Sequence, residues 1–314
     1  MKSNTNRDSF RGMFNNIITE DLLDNEKRMF VTLLKTQLVS FDFLFNHEEY
    51  KDILKTRLRE IEDEMTKYSD RIMVYFICVR KKVRFRKKEN VKKCILIDIF
   101  ENEQKVSKIL KIPIKKIVKI MQFETCFRVD CDFDMIHFYI SDKNIKSLSI
   151  HDFLEICSIN TGNVSKIVYV GETDFPLHRP FDKPHLGMMR AIYNYKNRGN
   201  DLFIYYNFFH VQYIDIPNSV NKIQYRVSNS LVELLSKKEE GRFIQNAFIQ
   251  KLLPPDYSVN YKNEIGELNN KIIFLKTKYK VKLYEFVYEV SSMSDFYRFS
   301  SDLIKSTNKI IFSF

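Results

Sequence analysis

The chain has no tryptophan and only seven glycines in 314 residues, against 27 Phe and 17 Tyr. Alanine is scarce too, while isoleucine, lysine and asparagine are heavily used, the bias of an AT-rich coding genome. That bias inflates lysine everywhere, so each basic patch has to be discounted against it. No run of eighteen apolar residues occurs, so no membrane-spanning helix is expected. Met1 to Arg11 is polar and lacks an apolar signal core. The five cysteines, Cys78, Cys94, Cys126, Cys131 and Cys157, are odd in number and match no compact disulfide or zinc spacing. Cys126 and Cys131 with His137 would make three metal ligands on paper, but the alternation around them favours buried strand cysteines. The expectation is a reducing, intracellular location, nucleus or cytoplasm, and not secretion.

What is present can build a core. The hydrophobic fraction is 44% and the aromatic fraction 14%, outside the range of disordered chains. The length suits one large domain or two ordinary ones. A net charge of +11, from 51 Lys and Arg against 40 Asp and Glu, favours a polyanionic partner without choosing between nucleic acid and an anionic membrane.

Along the chain, residues 1–12 read as a loose tail. Apolar residues recurring at three and four predict helix over Met13 to His47 and again over Glu48 to Tyr68. Ile72 to Val79 reads as a strand. Nine of the fourteen residues from Arg80 to Lys93 are Lys or Arg, followed by a strand at Cys94 to Phe100. The expected object is a β-hairpin with a basic, solvent-exposed tip that contacts nucleic acid. Glu101 to Met121 changes period to two short helices separated at Ile112-Pro113, with Lys115, Lys116 and Lys119 on the second. That spacing resembles a helix-turn-helix. Strands follow at 126–129 and 135–140. A polar stretch between Ser141 and His151 places a boundary between a helical and basic N-terminal domain, 1–146, and a C-terminal domain, 147–314. The second half reads as strands at 153–159 and 166–170 joined by turn residues Asn160 to Asn163, then helix at 186–197 and a long aromatic strand at 202–216. Helix at 228–253, with a break at Gly241, is stopped by Pro254-Pro255; Ile272 to Val290 reads as two strands or a strand and a helix. The fold class expected is α+β, in two mixed α/β units.

The richest chemistry lies at Tyr169-Val170-Gly171, with Arg179 ten residues after the tyrosine. A hydrophobic strand ending in a hydroxyl, a bare glycine turn and a guanidinium suits a phosphate. Hydrolysis of a phosphodiester needs a base for water, a positive clamp and help for the leaving oxygen. Tyr169 would orient the nucleophile, Arg179 would hold the phosphate and His185 would move a proton near neutrality. The plainer readings are a core strand tyrosine, a salt-bridged arginine and a loop histidine.

Residues 153–261 resemble the GIY-YIG nuclease family. Tyr169-Val170-Gly171 matches the second half of its signature, Arg179 its arginine, His185 a histidine many members keep. The helix 243–253 with Pro254 and Asn260 matches its metal-binding helix. Ile156-Cys157-Ser158 stands where the first signature half falls, and Gln245 stands where the metal glutamate falls. Glu240 is the nearest carboxylate, so it becomes the candidate metal ligand, for Mg2+. The resemblance implies a small sheet flanked by helices and divalent-metal-dependent hydrolysis of nucleic acid, DNA favoured over RNA. The composition and two-part plan also resemble proteins of large DNA viruses. Two other readings stay open: a catalytically inactive nucleic-acid-binding protein, with Lys183, His185 and Arg190 as an anion site, and a structural or host-interaction protein.

Overall fold

The structure, a computed structural model, describes residues 25–40, 73–86, 94–99, 110–122, 128–141, 144–173, 199–216, 226–258, 260–292 and 294–314, with isolated positions at 59, 63, 67, 189 and 193–195. The architecture is α+β. Among the described residues an eight-stranded mixed sheet has the order β13-β9-β2-β10-β1-β12-β14, with β11 paired to β10 off this path. Its strands are β1 (Lys27–Ser40), β2 (Met73–Lys81), β9 (Ser165–Thr173), β10 (Asn200–Asp215), β11 (Arg226–Ser228), β12 (Val281–Glu289), β13 (Phe299–Ser300) and β14 (Lys309–Ser313). Two three-stranded sheets stand beside it. One is β3 (Val83–Phe85), β4 (Cys94–Ile99) and β5 (Leu110–Pro113); the other is β6 (Arg128–Cys131), β7 (Met135–Ser141) and β8 (Asn144–Ser149). The helices are α1 (Ile114–Ile120), α2 (Ile150–Ile156), α3 (Asn229–Val232), α4 (Lys237–Leu252) and α5 (Tyr261–Tyr279).

The main sheet does not respect the expected division at 146/147. β2 pairs with β9 on one side and β10 on the other, and β1 pairs with β10 and β12. Strands from both halves therefore share one hydrogen-bonded ladder. Four local expectations also change. Lys27–Ser40, expected as helix, is β1. Its apolar positions Met29, Leu33, Leu34 and Leu38 imitate a helical period, but a bulge between Leu33 and Lys35 shifts the alternation by one. Pairing on both edges then decides for strand. Leu110–Pro113, expected at the end of a first helix, is β5 and pairs with β4, so the helix-turn-helix is not formed there. The polar stretch after Ser141 is β8, paired with β7. Phe153 to Ile159, expected as strand, lies largely in α2, whose N-cap Ser149 accepts from the Asp152 N–H at 3.0 Å.

Other expectations hold: β2, the β3–β4 hairpin, and the long aromatic strand β10, whose residues are almost all buried. A strand with aromatics on successive positions needs cover on both faces. One face carries Phe76, Phe209, Phe286 and Tyr288 against Phe248 of α4, with ring centroids 5.3 Å apart for Phe76–Phe248 and for Phe209–Phe248. The other carries Tyr75, Ile77, Ile204, Tyr206 and Phe208. Burying each such aromatic stabilises by about 1.5–3 kcal/mol.

α4 runs through Gly241 without the expected break. The interruption falls earlier, at Glu233, where the backbone turns left-handed at φ 51°. A capping box then starts α4 afresh: Ser236 accepts from the Glu239 N–H and the Glu239 carboxylate accepts from the Ser236 N–H. α5 follows the Pro254-Pro255 stop, so the region 272–290 is the end of a helix and then β12.

Candidate functional site

Tyr169 sits in the interior of β9, opposite Ile77 of β2, and is 7% exposed. Its ring lies 6.0 Å from Tyr75 and 6.2 Å from Tyr257. Gly171 does not turn the chain. It continues the strand, directly opposite Tyr75. A Cβ on residue 171 would stand 2.4 Å from the Tyr75 Cζ. The glycine is there because a buried tyrosine ring occupies the space a side chain would need. The strand goes on through Glu172 and Thr173, so Tyr169 is not the terminal group expected from the sequence.

Arg179 and His185 lie outside the described residues, as do Lys183 and Arg190 of the alternative anion site and Cys126 of the weighed metal trio. Of that trio, Cys131 Sγ donates to the Arg86 carbonyl at 3.4 Å, and His137 Nδ1 lies 2.8 Å from Ser147 Oγ. Cys131 and His137 point to alternate sides of their hairpin, since His137 pairs with Asp130 and Cys131 with Ile136. Cys78, Cys94, Cys131 and Cys157 are free thiols. Ile156-Cys157-Ser158, at the first signature position, is the end of α2 rather than a strand.

Glu240 is 5% exposed and its Oε2 accepts a short hydrogen bond from the Asn229 amide. Asn229 in turn brackets the Leu235 peptide, donating to its carbonyl at 3.0 Å. The carboxylate thus ties α3 to α4. A Mg2+ on a single carboxylate keeps several waters and needs room for them. Glu240, closed in and already bonded, does not fit that demand. Among the described residues no group of three His, Cys, Asp or Glu comes together as a metal cluster. A carboxylate that sequence reasoning missed is Glu264, in the first turn of α5. Burial, then Glu267, raises its pKa, and its Oε2 is buried without a hydrogen bond. Its charge acts on Tyr257, whose phenol is pushed up by burial first, then by Glu264 and Tyr169. The only signal in the sequence was its spacing of one turn from Asn260.

Two arginines of the basic run, Arg80 and Arg84, turn inward. Arg80 is 2% exposed at its side chain and Asp295 is 1%, with Nη2 and Oδ1 3.1 Å apart. Arg80 also donates to Ser165 Oγ at 3.1 Å, to the Asp295 carbonyl at 2.9 Å and to the Asn163 carbonyl at 3.1 Å. Its guanidinium lies 4.1 Å from the Phe296 ring centroid. The other carboxylate oxygen of Asp295 takes the Thr161 N–H and hydroxyl, both at 2.8 Å. Arg84 reaches Asp201 at 2.9 Å and Asp134 at 2.8 Å, and Arg86 pairs with Asp98. The expectation of a wholly exposed basic segment fails for Arg80 and Arg84, because Asp295, Asp201 and Asp134 come from strands and turns distant in sequence; Arg86, paired with Asp98 of its own hairpin, stays 37% exposed, and residues 87–93 lie outside the described residues.

His151 closes this buried network, its Nε2 3.5 Å from Asp201 Oδ2 and its Nδ1 without a hydrogen bond. Burial holds its pKa down to about 4; Asp201 and Asp134 act upward, Arg84 and Arg80 downward. An unfolded histidine titrates near 6.5. Between about 6.5 and 4 the unfolded chain therefore takes a proton that the native chain refuses, and stability falls as pH falls. The slope is at most about 1.4 kcal/mol per pH unit. Urea unfolding at pH 7 and pH 5 is expected to show a larger acid loss for the wild type than for His151→Phe. Equal losses would show that His151 is not the buried neutral group.

The exposed cations lie elsewhere. Lys115, Lys116 and Lys119 of α1 and Lys111 of β5 are all exposed, and none has an ion pair among the described residues. The opposite side of α1 packs inward through Ile117, Ile114 and Val118. No helix among the described residues is long and apolar enough to cross a membrane. No protein-family model, no curated protein and no solved structure matches this chain.

Proposed function

We propose that this chain binds nucleic acid, duplex DNA before RNA, without hydrolysing it. The observation that carries the reading is the lysine face of β5 and α1. Its four ammonium groups are held on one short, anchored unit and have no carboxylate among the described residues to neutralise them. Phosphates are the complementary partner, and pairing with them releases counterions. The arginines of β2 and β3, by contrast, are engaged inside the protein. The hydrolytic reading is set second because Glu240, its metal residue, is closed in by Asn229. A GIY-YIG-like ancestry for the second half stays part of the proposal. β9 with its Tyr-Val-Gly and α4 ending before Pro254 support it, while the helix end at Ile156-Cys157-Ser158 speaks against it.

The test replaces Lys111, Lys115, Lys116 and Lys119 together by glutamine and titrates binding of duplex DNA and single-stranded RNA against salt. Every lysine–phosphate pair abolished is expected to lower the salt slope by about 0.9 on duplex DNA and about 0.7 on a single strand. Unchanged affinity and slope would reject this face as the interface. Incubation with Mg2+ or Mn2+ is expected to leave both substrates intact. Cleavage that Tyr169→Phe abolishes would restore the hydrolytic reading.

A further inference from the structure

α4 and α5 lie side by side, and between them is a groove of about 390 Å³. That size is within the range of small-molecule sites. Phe243 and Leu268 form its floor, both buried, and Phe274 stands 39% exposed at its edge. Some of its polar groups lack a close internal partner. Asn246 lines the groove, and its side-chain amide has no hydrogen bond among the described residues, so it is open to a ligand there. Arg242, one helical turn before it, is 51% exposed at its side chain and among the described residues pairs only with Glu172, at 3.9 Å. Across the groove, Glu267 presents a carboxylate with no ion pair among the described residues, beside the amide of Asn270. The remaining charges cancel, because Lys271 binds Glu239 at 2.6 Å.

A guanidinium and a carboxylate, both available in one groove over an aromatic and aliphatic floor, complement a zwitterion with an apolar side chain. A polyanion is disfavoured here, since Glu267 would repel it. We propose that this groove is a binding site for an α-amino acid with a bulky apolar side chain. The ligand carboxylate pairs with Arg242 and takes an N–H from Asn246. Its ammonium group pairs with Glu267, and its side chain lies on Phe243 and Leu268 beside Phe274. The same chemistry is available from a free amino acid or from one end of a peptide. This site is independent of the lysine face on α1.

The experiment uses the full chain, with L-phenylalanine as probe, followed by calorimetry and by chemical shifts of the α4 and α5 amides. Saturable binding is expected. 3-Phenylpropionate, which lacks the ammonium group, and phenethylamine, which lacks the carboxylate, are each expected to bind at least about tenfold more weakly, the loss of one charge-assisted hydrogen bond. Arg242→Gln and Glu267→Gln, both at exposed positions, are expected to weaken L-phenylalanine to a similar degree while unfolding at the wild-type urea midpoint. Asn246→Leu removes the amide that lines the groove and is expected to lose affinity while keeping the wild-type urea midpoint. The dipeptides Phe-Gly and Gly-Phe separate the sources. Rejection of both assigns a free amino acid, and binding of one assigns the corresponding chain end. No saturable binding, equal binding of either single-charge analogue, or unchanged affinity in all three variants would overturn the proposal.

Discussion

Replacing Arg80 by alanine is expected to destabilise the protein by about 3–5 kcal/mol, the cost of leaving one member of a buried ion pair without the other. Asp295 is 1% exposed and would keep its charge beside an emptied site. The loss would reach beyond the pair. Arg80 holds the Asn163 carbonyl and Ser165, and Asp295 holds Thr161, so the turn that leads into β9 is fastened to β2 and to the segment before β13 by these two side chains. The check is a urea melt of Arg80→Ala, of Asp295→Asn, and of the double variant Arg80→Met with Asp295→Leu. The apolar pair is expected to recover much of the loss, since removing both charges leaves neither unpaired. A single-variant loss below about 1 kcal/mol would place the pair among exposed ion pairs in effect, contrary to its burial. DNA-binding salt slopes, measured on variants that remain folded, are expected to be insensitive to Arg80.

Gly171→Val is expected to cost about 1–3 kcal/mol through overpacking. The added Cβ falls 2.4 Å from the Tyr75 ring, and Tyr75 is 1% exposed, so the ring has little room to yield. Tyr169 at 6.0 Å and Tyr206 at 6.3 Å flank it. Tyr75→Ala alone creates a cavity and is expected to cost about 3–5 kcal/mol, as for other large aromatics. In the combined variant the valine grows into that cavity, so its own cost should largely vanish or reverse. A double-mutant cycle measures this coupling. An equal cost of Gly171→Val on both backgrounds would mean that the clash with Tyr75 is not why glycine is there. The same variant separates a packing glycine from a phosphate-binding one: a glycine kept for phosphate approach would change binding and leave the melt alone.

Several elements were legible in the chain itself because their cause is local. β2 and β10 announce themselves by β-branched and aromatic runs, and the helix stop at Pro254-Pro255 follows from proline's missing N–H. The Ser-x-x-Glu capping box at Ser236 to Glu239 and the Ser-x-x-Asp start of α2 are equally local, yet neither start is in the sequence reading, which runs one helix over 228–253 and puts a strand at 153–159. β1 misled because a bulge moved its alternation out of phase, and only its neighbours β10 and β12 could overrule the apparent helical spacing. The Tyr-Val-Gly triplet was conspicuous in sequence, but its meaning depended on Tyr75, which is remote in sequence and directly opposite Gly171 in the sheet.

By itself, the sequence determined the supply of material: enough aromatic and β-branched residues for a large α+β core, and a surplus of positive charge. Those are sums over residues, or patterns within one turn or strand, and need no partner to be read. Which charges remain available was decided only by tertiary structure. Arg80, Arg84 and Glu240 are engaged by Asp295, Asp201 and Asn229, while Lys111, Lys115, Lys116 and Lys119 stay exposed. The reason is that burial and ion pairing are properties of residues brought together across the fold, and a buried charge is tolerated only where such a partner arrives.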